Sequence, residues 1–211
     1  KMESDFSSKL DALQRQIDDT KNKQSVVGSV VPAGEAMSPS QVYAYNVDSV
    51  VAISCTVQSN SYYGSTEGTS SGSGFILTED GYVVTNYHVV KGATTLTVIT
   101  SDGTEHNAQV AGYDASNDLA VLKVDASGLP AAEFGDSDDL VVGDPAYAIG
   151  NPLGELTFTM TDGILSALDR EINTDGNPRN MLQTNAAINS GNSGGPLFDM
   201  DGNVIGVTSV K

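Results

Sequence analysis

The chain has 211 residues, 27 acidic and 10 basic side chains, a net charge of −17 and one cysteine. An acid excess of this size repels phosphate backbones and anionic lipid headgroups, which disfavours a nucleic-acid partner. The lone Cys55 rules out an internal disulfide framework, and no apolar run reaches the ~18 residues of a membrane span.

The charge is unevenly spread. Five of the ten basic residues lie in the first 23 positions, where five acids balance them, so the remainder carries the whole −17. In that first stretch Met2, Phe6, Leu10, Leu13 and Ile17 recur at helical spacing. The pattern predicts an amphipathic helix over 1–23. A helix of this length is marginal alone, so its stripe is expected to pack on a sister subunit, the body of the protein or a membrane-proximal neighbour. Self-association is the favoured reading. Residues 24–38, rich in Ser, Gly, Pro and Val, read as a linker.

A short helix is expected from Pro39 with Ser38 as its N-cap. Strand patterns follow at Val50–Gln58, Gly74–Leu77, Tyr82–Thr85, Leu96–Thr100, Glu105–Tyr113 and Leu119–Val124. Residues 59–71 read as a long polar loop, and Ser101-Asp102-Gly103-Thr104 as a hairpin turn. After Pro130 a second set is expected at Ala146–Gly150, Leu156–Leu168, Met181–Thr184, Pro196–Asp199 and Val204–Val210. Short strands at such spacing point to an all-β fold of two antiparallel barrels, 39–128 and 129–211. Cys55 lies in an apolar run and reads as a buried, inert thiol.

Three places carry chemistry. Asn189-Ser190-Gly191-Asn192-Ser193-Gly194-Gly195-Pro196-Leu197 holds one hydroxyl in a glycine-rich turn, where backbone N–H groups can converge beside a nucleophile. His88 directly follows an apolar strand, so its ring can face a cleft and take a proton near neutral pH. His106 sits on a polar hairpin flank and reads as solvated. Asp118 stands at the threshold of the apolar strand Leu119–Val124, where a part-buried carboxylate needs a partner such as an imidazole N–H. Asp114 reads as a turn residue, and Asp136, Asp138 and Asp139 as a solvated acidic face.

Taken in order, Thr85-Asn86-Tyr87-His88-Val89-Val90, Asn117-Asp118-Leu119-Ala120-Val121-Leu122 and Gly191-Asn192-Ser193-Gly194-Gly195-Pro196-Leu197 resemble the HtrA/DegP serine endopeptidases. Gly72-Ser73-Gly74-Phe75-Ile76, Ala148-Ile149-Gly150-Asn151-Pro152-Leu153-Gly154 and Gln183-Thr184-Asn185-Ala186-Ala187-Ile188-Asn189 extend the resemblance over about residues 40–211. It implies a chymotrypsin-like double β-barrel with the site between the barrels. Ser193 would be the nucleophile, His88 the base and Asp118 its support, with the N–H groups of Gly191 and Ser193 as oxyanion hole. Ile188, Asn192, Thr208, Ser209 and Val210 would contact substrate, Ile188 lining a pocket for small or medium apolar side chains. The resemblance further implies unfolded polypeptide substrates, a homotrimer, no cofactor or metal ion, and work outside the cytoplasm, with a membrane anchor conceivable upstream.

Three departures qualify it. Asn185 stands where the family more often has Asp, and Ser190 where Pro is more usual, so the loop before Ser193 is expected to be more flexible. The chain also stops at Lys211, straight after an apolar strand, so an incompletely closed second barrel is expected. The competing reading is a protease-fold chaperone or polypeptide-binding module with little turnover.

Overall fold

The computed structural model describes residues 36–61, 64–151, 158–173 and 178–209. The amphipathic stretch 1–23, most of the linker and Val210 lie outside these residues. Helix α1 (Pro39–Asn46) begins where the sequence places it. Proline at the first helical position needs no N–H there, and the Ser38 N–H donates to Gln41 Oε1 at 2.9 Å. A 3-10 turn (Val47–Ser49) leads into the strands.

Strands β1 (Val50–Ser61), β2 (Gly64–Ile76), β3 (Tyr82–Asn86), β4 (Ala93–Ile99), β5 (Glu105–Asp114) and β6 (Leu119–Val124) close into an antiparallel barrel in the order β1-β2-β3-β6-β5-β4. A one-turn helix α2 (Tyr87–Val90) leaves the end of β3. The second unit is a curled sheet with strand order β11-β10-β7-β8-β9, made of β7 (Pro145–Gly150), β8 (Thr159–Asn173), β9 (Pro178–Thr184), β10 (Pro196–Phe198) and β11 (Val204–Val207). The all-β architecture expected from the strand spacing is thus present, with one closed barrel and a five-stranded second sheet among the described residues.

One expectation is corrected. Residues 59–61 and 64–71 are strand rather than loop: β1 and β2 stay paired from Val50↔Phe75 out to Ser61↔Gly64. β4 leaves the ladder at Val57, so the outer part of the hairpin is a two-stranded ribbon beyond the barrel. A stretch of Ser, Thr and Gly lacks the apolar period-2 alternation from which strands are read.

Alternation explains the core. In β1, Val51 and Ile53 point into the first barrel with Ile76, Val83, Val98 and Leu122. Val50 and Ala52 point the other way, into a cluster with Phe75, Tyr147, Ile149, Phe198 and α1's Val42. β7 repeats the device: Ala146 and Ala148 face Leu165, Leu197 and Ile205, while Tyr147 and Ile149 join the shared cluster. Two strands with both faces buried therefore weld the barrel to the second sheet. Burying each large aliphatic side chain contributes about 1.5–3 kcal/mol. Cys55 is buried as expected, its thiol against the Val89 carbonyl at 3.1 Å, and burial pushes its pKa up.

Candidate active site

Asp118 is the only described non-glycine residue with positive φ, at 56°. Left-handed backbone is costly for a side-chain-bearing residue, and Asp tolerates it better than most. The turn into it is built by Asp114, whose carboxylate accepts from the N–H groups of Ser116 and Asn117 and from Asn117 Nδ2. Its other end is held by β3, as the Asp118 carbonyl accepts from Asn86 Nδ2 at 2.9 Å and from the Tyr87 N–H at 3.1 Å. Arg179 Nε of β9 donates to the Ser116 carbonyl, tying this turn to the second sheet.

Held this way, the carboxylate meets α2. Oδ1 accepts the His88 backbone N–H at 2.9 Å, and Oδ2 lies 2.7 Å from His88 Nδ1. Ser209 Oγ donates to the same Oδ2 at 2.9 Å. The Asp118 side chain is 11% exposed and that of His88 49%, so the carboxylate is buried behind a ring whose other nitrogen can reach solvent. Burial by itself raises the Asp118 pKa. The bonds from the His88 ring, the His88 backbone and Ser209 outweigh it and hold the carboxyl below its ordinary range. It is therefore ionised at neutral pH and favours the His88 tautomer with the proton on Nδ1, in which Nε2 can accept a proton.

The Ser193 turn is pinned from below. The Ser193 carbonyl accepts the Ser73 N–H at 2.8 Å, and the Gly194 N–H donates to the Thr208 carbonyl at 2.7 Å. The Asn192 carbonyl accepts from the Gly195 N–H at 2.9 Å and from the Thr208 hydroxyl. In a planar trans peptide the C=O and N–H point opposite ways, so the inward Asn192 carbonyl turns the Ser193 N–H outward. Among the described residues neither that N–H nor the Gly191 N–H has a protein acceptor. Among the described residues the Ser190–Gly191 peptide has no hydrogen bond at either end, whereas the next three are tethered. The flexibility expected at Ser190 therefore has one peptide in which to reside. At Asn185, where an acid was expected from the family pattern, Oδ1 still accepts the Ile164 N–H at 2.7 Å.

Gly194 is the tightest point of the turn. Its φ is +84°, and a Cβ there would collide with Thr85 Oγ1 and the Ser73 carbonyl oxygen. Gly194→Ala is therefore expected to destabilise the protein by about 2–4 kcal/mol, from strain plus backbone overlap. A melting temperature within about 2 °C of wild type would contradict this.

The remaining residues singled out in the sequence fall in different places. Ile188 is half-buried against Leu197 and Ile205 and lines a cleft of about 1220 Å3 together with Leu168, Leu182, Thr208 and Ser209. Asn192 is buried, with Oδ1 on the Asn189 N–H and Nδ2 on the Ala187 carbonyl, so its side chain braces the turn. Thr208 is likewise buried, its hydroxyl on the Asn192 and Gly195 carbonyls. Ser209 spends its hydroxyl on Asp118. The side chains of Asn192, Thr208 and Ser209 are thus engaged within the protein, while Thr208 and Ser209 also border the cleft. Sequence reasoning missed these support roles, because a hydroxyl beside a motif does not show which way it points. Among the described residues no cluster of three or more His, Cys, Asp or Glu could hold a metal ion.

A closed barrel, a second sheet and a His–Asp pair beside a glycine-rich serine turn are the marks of a trypsin-like peptidase. The model of the trypsin-like peptidase domain matches residues 72–207, and the chain belongs to that family. A protein of Halomonas elongata described as a probable periplasmic serine endoprotease, DegP-like, is 51% identical over 149 residues, covering 69% of this chain and 30% of the relative. A putative serine protease, HhoB, of Synechocystis is 52% identical over 142 residues, 66% of this chain and 34% of the relative. Among solved structures, a variant of the HtrA-type protease AlgW with a decapeptide superposes with a TM-score of 0.77 at 36% identity, covering 82% of this chain and 58% of that one. These matches bear out the HtrA/DegP resemblance. The chain spans about a third of the length of these curated relatives.

Proposed function

We propose that this chain is the protease part of an HtrA-type serine endopeptidase that hydrolyses peptide bonds of unfolded polypeptides. The observation that carries the reading is the 2.7 Å contact of His88 Nδ1 with the buried Asp118 carboxylate, which supports Nε2 as the base. In the mechanism Ser193 Oγ attacks the substrate carbonyl as His88 Nε2 takes its proton. The resulting oxyanion is stabilised by the outward N–H of Ser193 and by that of Gly191. His88 then gives its proton to the departing amine, water repeats the sequence on the acyl-enzyme, and Asp118 stays ionised throughout. Ser193 makes no hydrogen bond to His88 among the described residues, in keeping with catalytic bonds that close only around substrate.

Ile188 at the cleft supports a preference for small or medium apolar side chains before the cut bond. Work outside the cytoplasm is in keeping with relatives described as periplasmic, and a homotrimer with the family resemblance. The test is digestion of unfolded casein beside a stably folded protein, with the cut sites sequenced. Cleavage of casein alone, after Val, Ala, Ile or Leu, is expected. Casein bound but left intact would instead favour the polypeptide-binding module.

A further inference from the structure

Ser73 is buried with no exposed surface, in the middle of Gly72-Ser73-Gly74 on β2. Period 2 places it on the face of β2 that carries Phe75, toward the second sheet. Gly72 lets the Ser193 turn close onto the strand, since a Cβ there would stand 3.1 Å from the Ser193 carbonyl oxygen, and Gly74 lets β3 approach, since a Cβ there would stand 2.7 Å from the Val84 carbonyl oxygen. Between them the Ser73 hydroxyl is offered to the turn. Its Oγ donates to the Gly191 carbonyl at 2.7 Å and accepts the Asn151 N–H at 2.8 Å. Its own N–H reaches the Ser193 carbonyl at 2.8 Å, and its carbonyl accepts from Thr85 Oγ1 at 2.7 Å. One residue of the first barrel thus holds the residues on both sides of Asn192.

We propose that Ser73 is a positioning residue for the oxyanion-binding backbone, its hydroxyl clamping the Gly191 carbonyl so that the Gly191 N–H faces the cleft. This rests on the serine-endopeptidase reading above. The physical argument is one of restraint. Among the described residues the Ser190–Gly191 peptide, which carries that N–H, has no hydrogen bond of its own, so its orientation is inherited from the tethered peptide after it. Two bonds tether that next peptide: Ser73 Oγ on the Gly191 carbonyl, and the Asn192 N–H on the Asn189 carbonyl at 3.1 Å. The second joins neighbours within the same turn and moves with it, so among the described residues only Ser73 refers Gly191 to the rigid barrel. Asn151, whose carboxamide is buried with no hydrogen-bond partner among the described residues, enters the same junction through its N–H.

The test compares Ser73→Ala with Ser73→Cys in the full-length protein, each rate normalised to sites titrated with a fluorophosphonate. Full removal of an oxyanion donor costs about 10²–10³ in kcat. Loss of its aim in Ser73→Ala is expected to lower kcat about 10- to 100-fold with KM within about twofold. The limb of the pH profile set by His88 should stay in place. Ser73→Cys, which keeps a weak donor of similar shape, should recover part of the loss. Wild-type kcat per titrated site in Ser73→Ala would overturn the proposal, and so would a rise in KM that accounts for the whole effect.

A readout independent of turnover is the 15N–1H resonance of Asn192, whose amide shares a peptide with the Gly191 carbonyl. It is expected to move in Ser73→Ala along with that of Asn151, and unmoved resonances would overturn the clamp. A wild-type protein that neither labels nor cleaves would sink the endopeptidase reading while these resonances still decide whether Ser73 holds the turn.

Discussion

Ser193→Ala is expected to lower kcat on a peptide substrate about a millionfold while leaving the melting temperature within a few degrees of wild type. The size follows from what the hydroxyl is asked to do: without it no acyl-enzyme forms, and only water attacking directly within the binding site remains. The small stability effect follows from the environment. The turn is held by backbone groups, through the Ser73 N–H on the Ser193 carbonyl and the Gly194 N–H on the Thr208 carbonyl, and Ser193 Oγ itself takes no part. Steady-state kinetics on a chromogenic peptide, with melting followed by circular dichroism, checks both halves. A residual rate within a hundredfold of wild type would place the nucleophile elsewhere.

Asp118→Asn is expected to cost about 10⁴ in kcat with little change in shape. The amide is the same size, and its oxygen can keep the His88 backbone N–H. Its NH2 then faces His88 Nδ1 and favours the tautomer with the proton on Nε2, which cannot accept from Ser193. The charge that would stabilise the imidazolium is lost as well. This substitution also has a pH signature. The folded-state pKa of Asp118 lies below its ordinary value, so its contribution to stability is fully present above about pH 4 and is lost as the pH falls through the folded value. The stability gap between wild type and Asp118→Asn should therefore be full at neutral pH and close on acidification, as read from melts between pH 2 and 7. A gap that widens in acid would reverse the assignment.

How much was legible in the sequence depended on whether an element announces itself locally. β6 begins and ends where the apolar run Leu119–Val124 does, because both its faces are determined by that run. α1 starts at its proline for an equally local reason. The β1–β2 ribbon was hidden because Thr66, Thr69, Ser70 and Ser71 carry no apolar rhythm, and their pairing comes from the partner strand across the hairpin. In the site, His88 and Asp118 could be paired by chemistry, since a carboxylate entering an apolar strand needs a donor. The left-handed backbone that aims Asp118 could not be read, because it is set by the Asp114 turn and by Asn86 across the sheet. Ser209 was visible only as a neighbour of the β11 edge, and its bond to Asp118 joins residues 91 positions apart. Ser73 left a clue in the sequence, a hydroxyl between two glycines, two residues before the buried Phe75 on the same face of β2.

The most direct test of the account is to treat the wild-type chain with a fluorophosphonate and to locate the adduct by peptide mass mapping. A single phosphonyl group on Ser193, formed only when His88 is intact and blocked by His88→Ala, is the expected result. An adduct on another serine, or none under conditions where the folded protein binds unfolded casein, would contradict a catalytic Ser193 and leave a peptidase fold that holds polypeptide without cutting it.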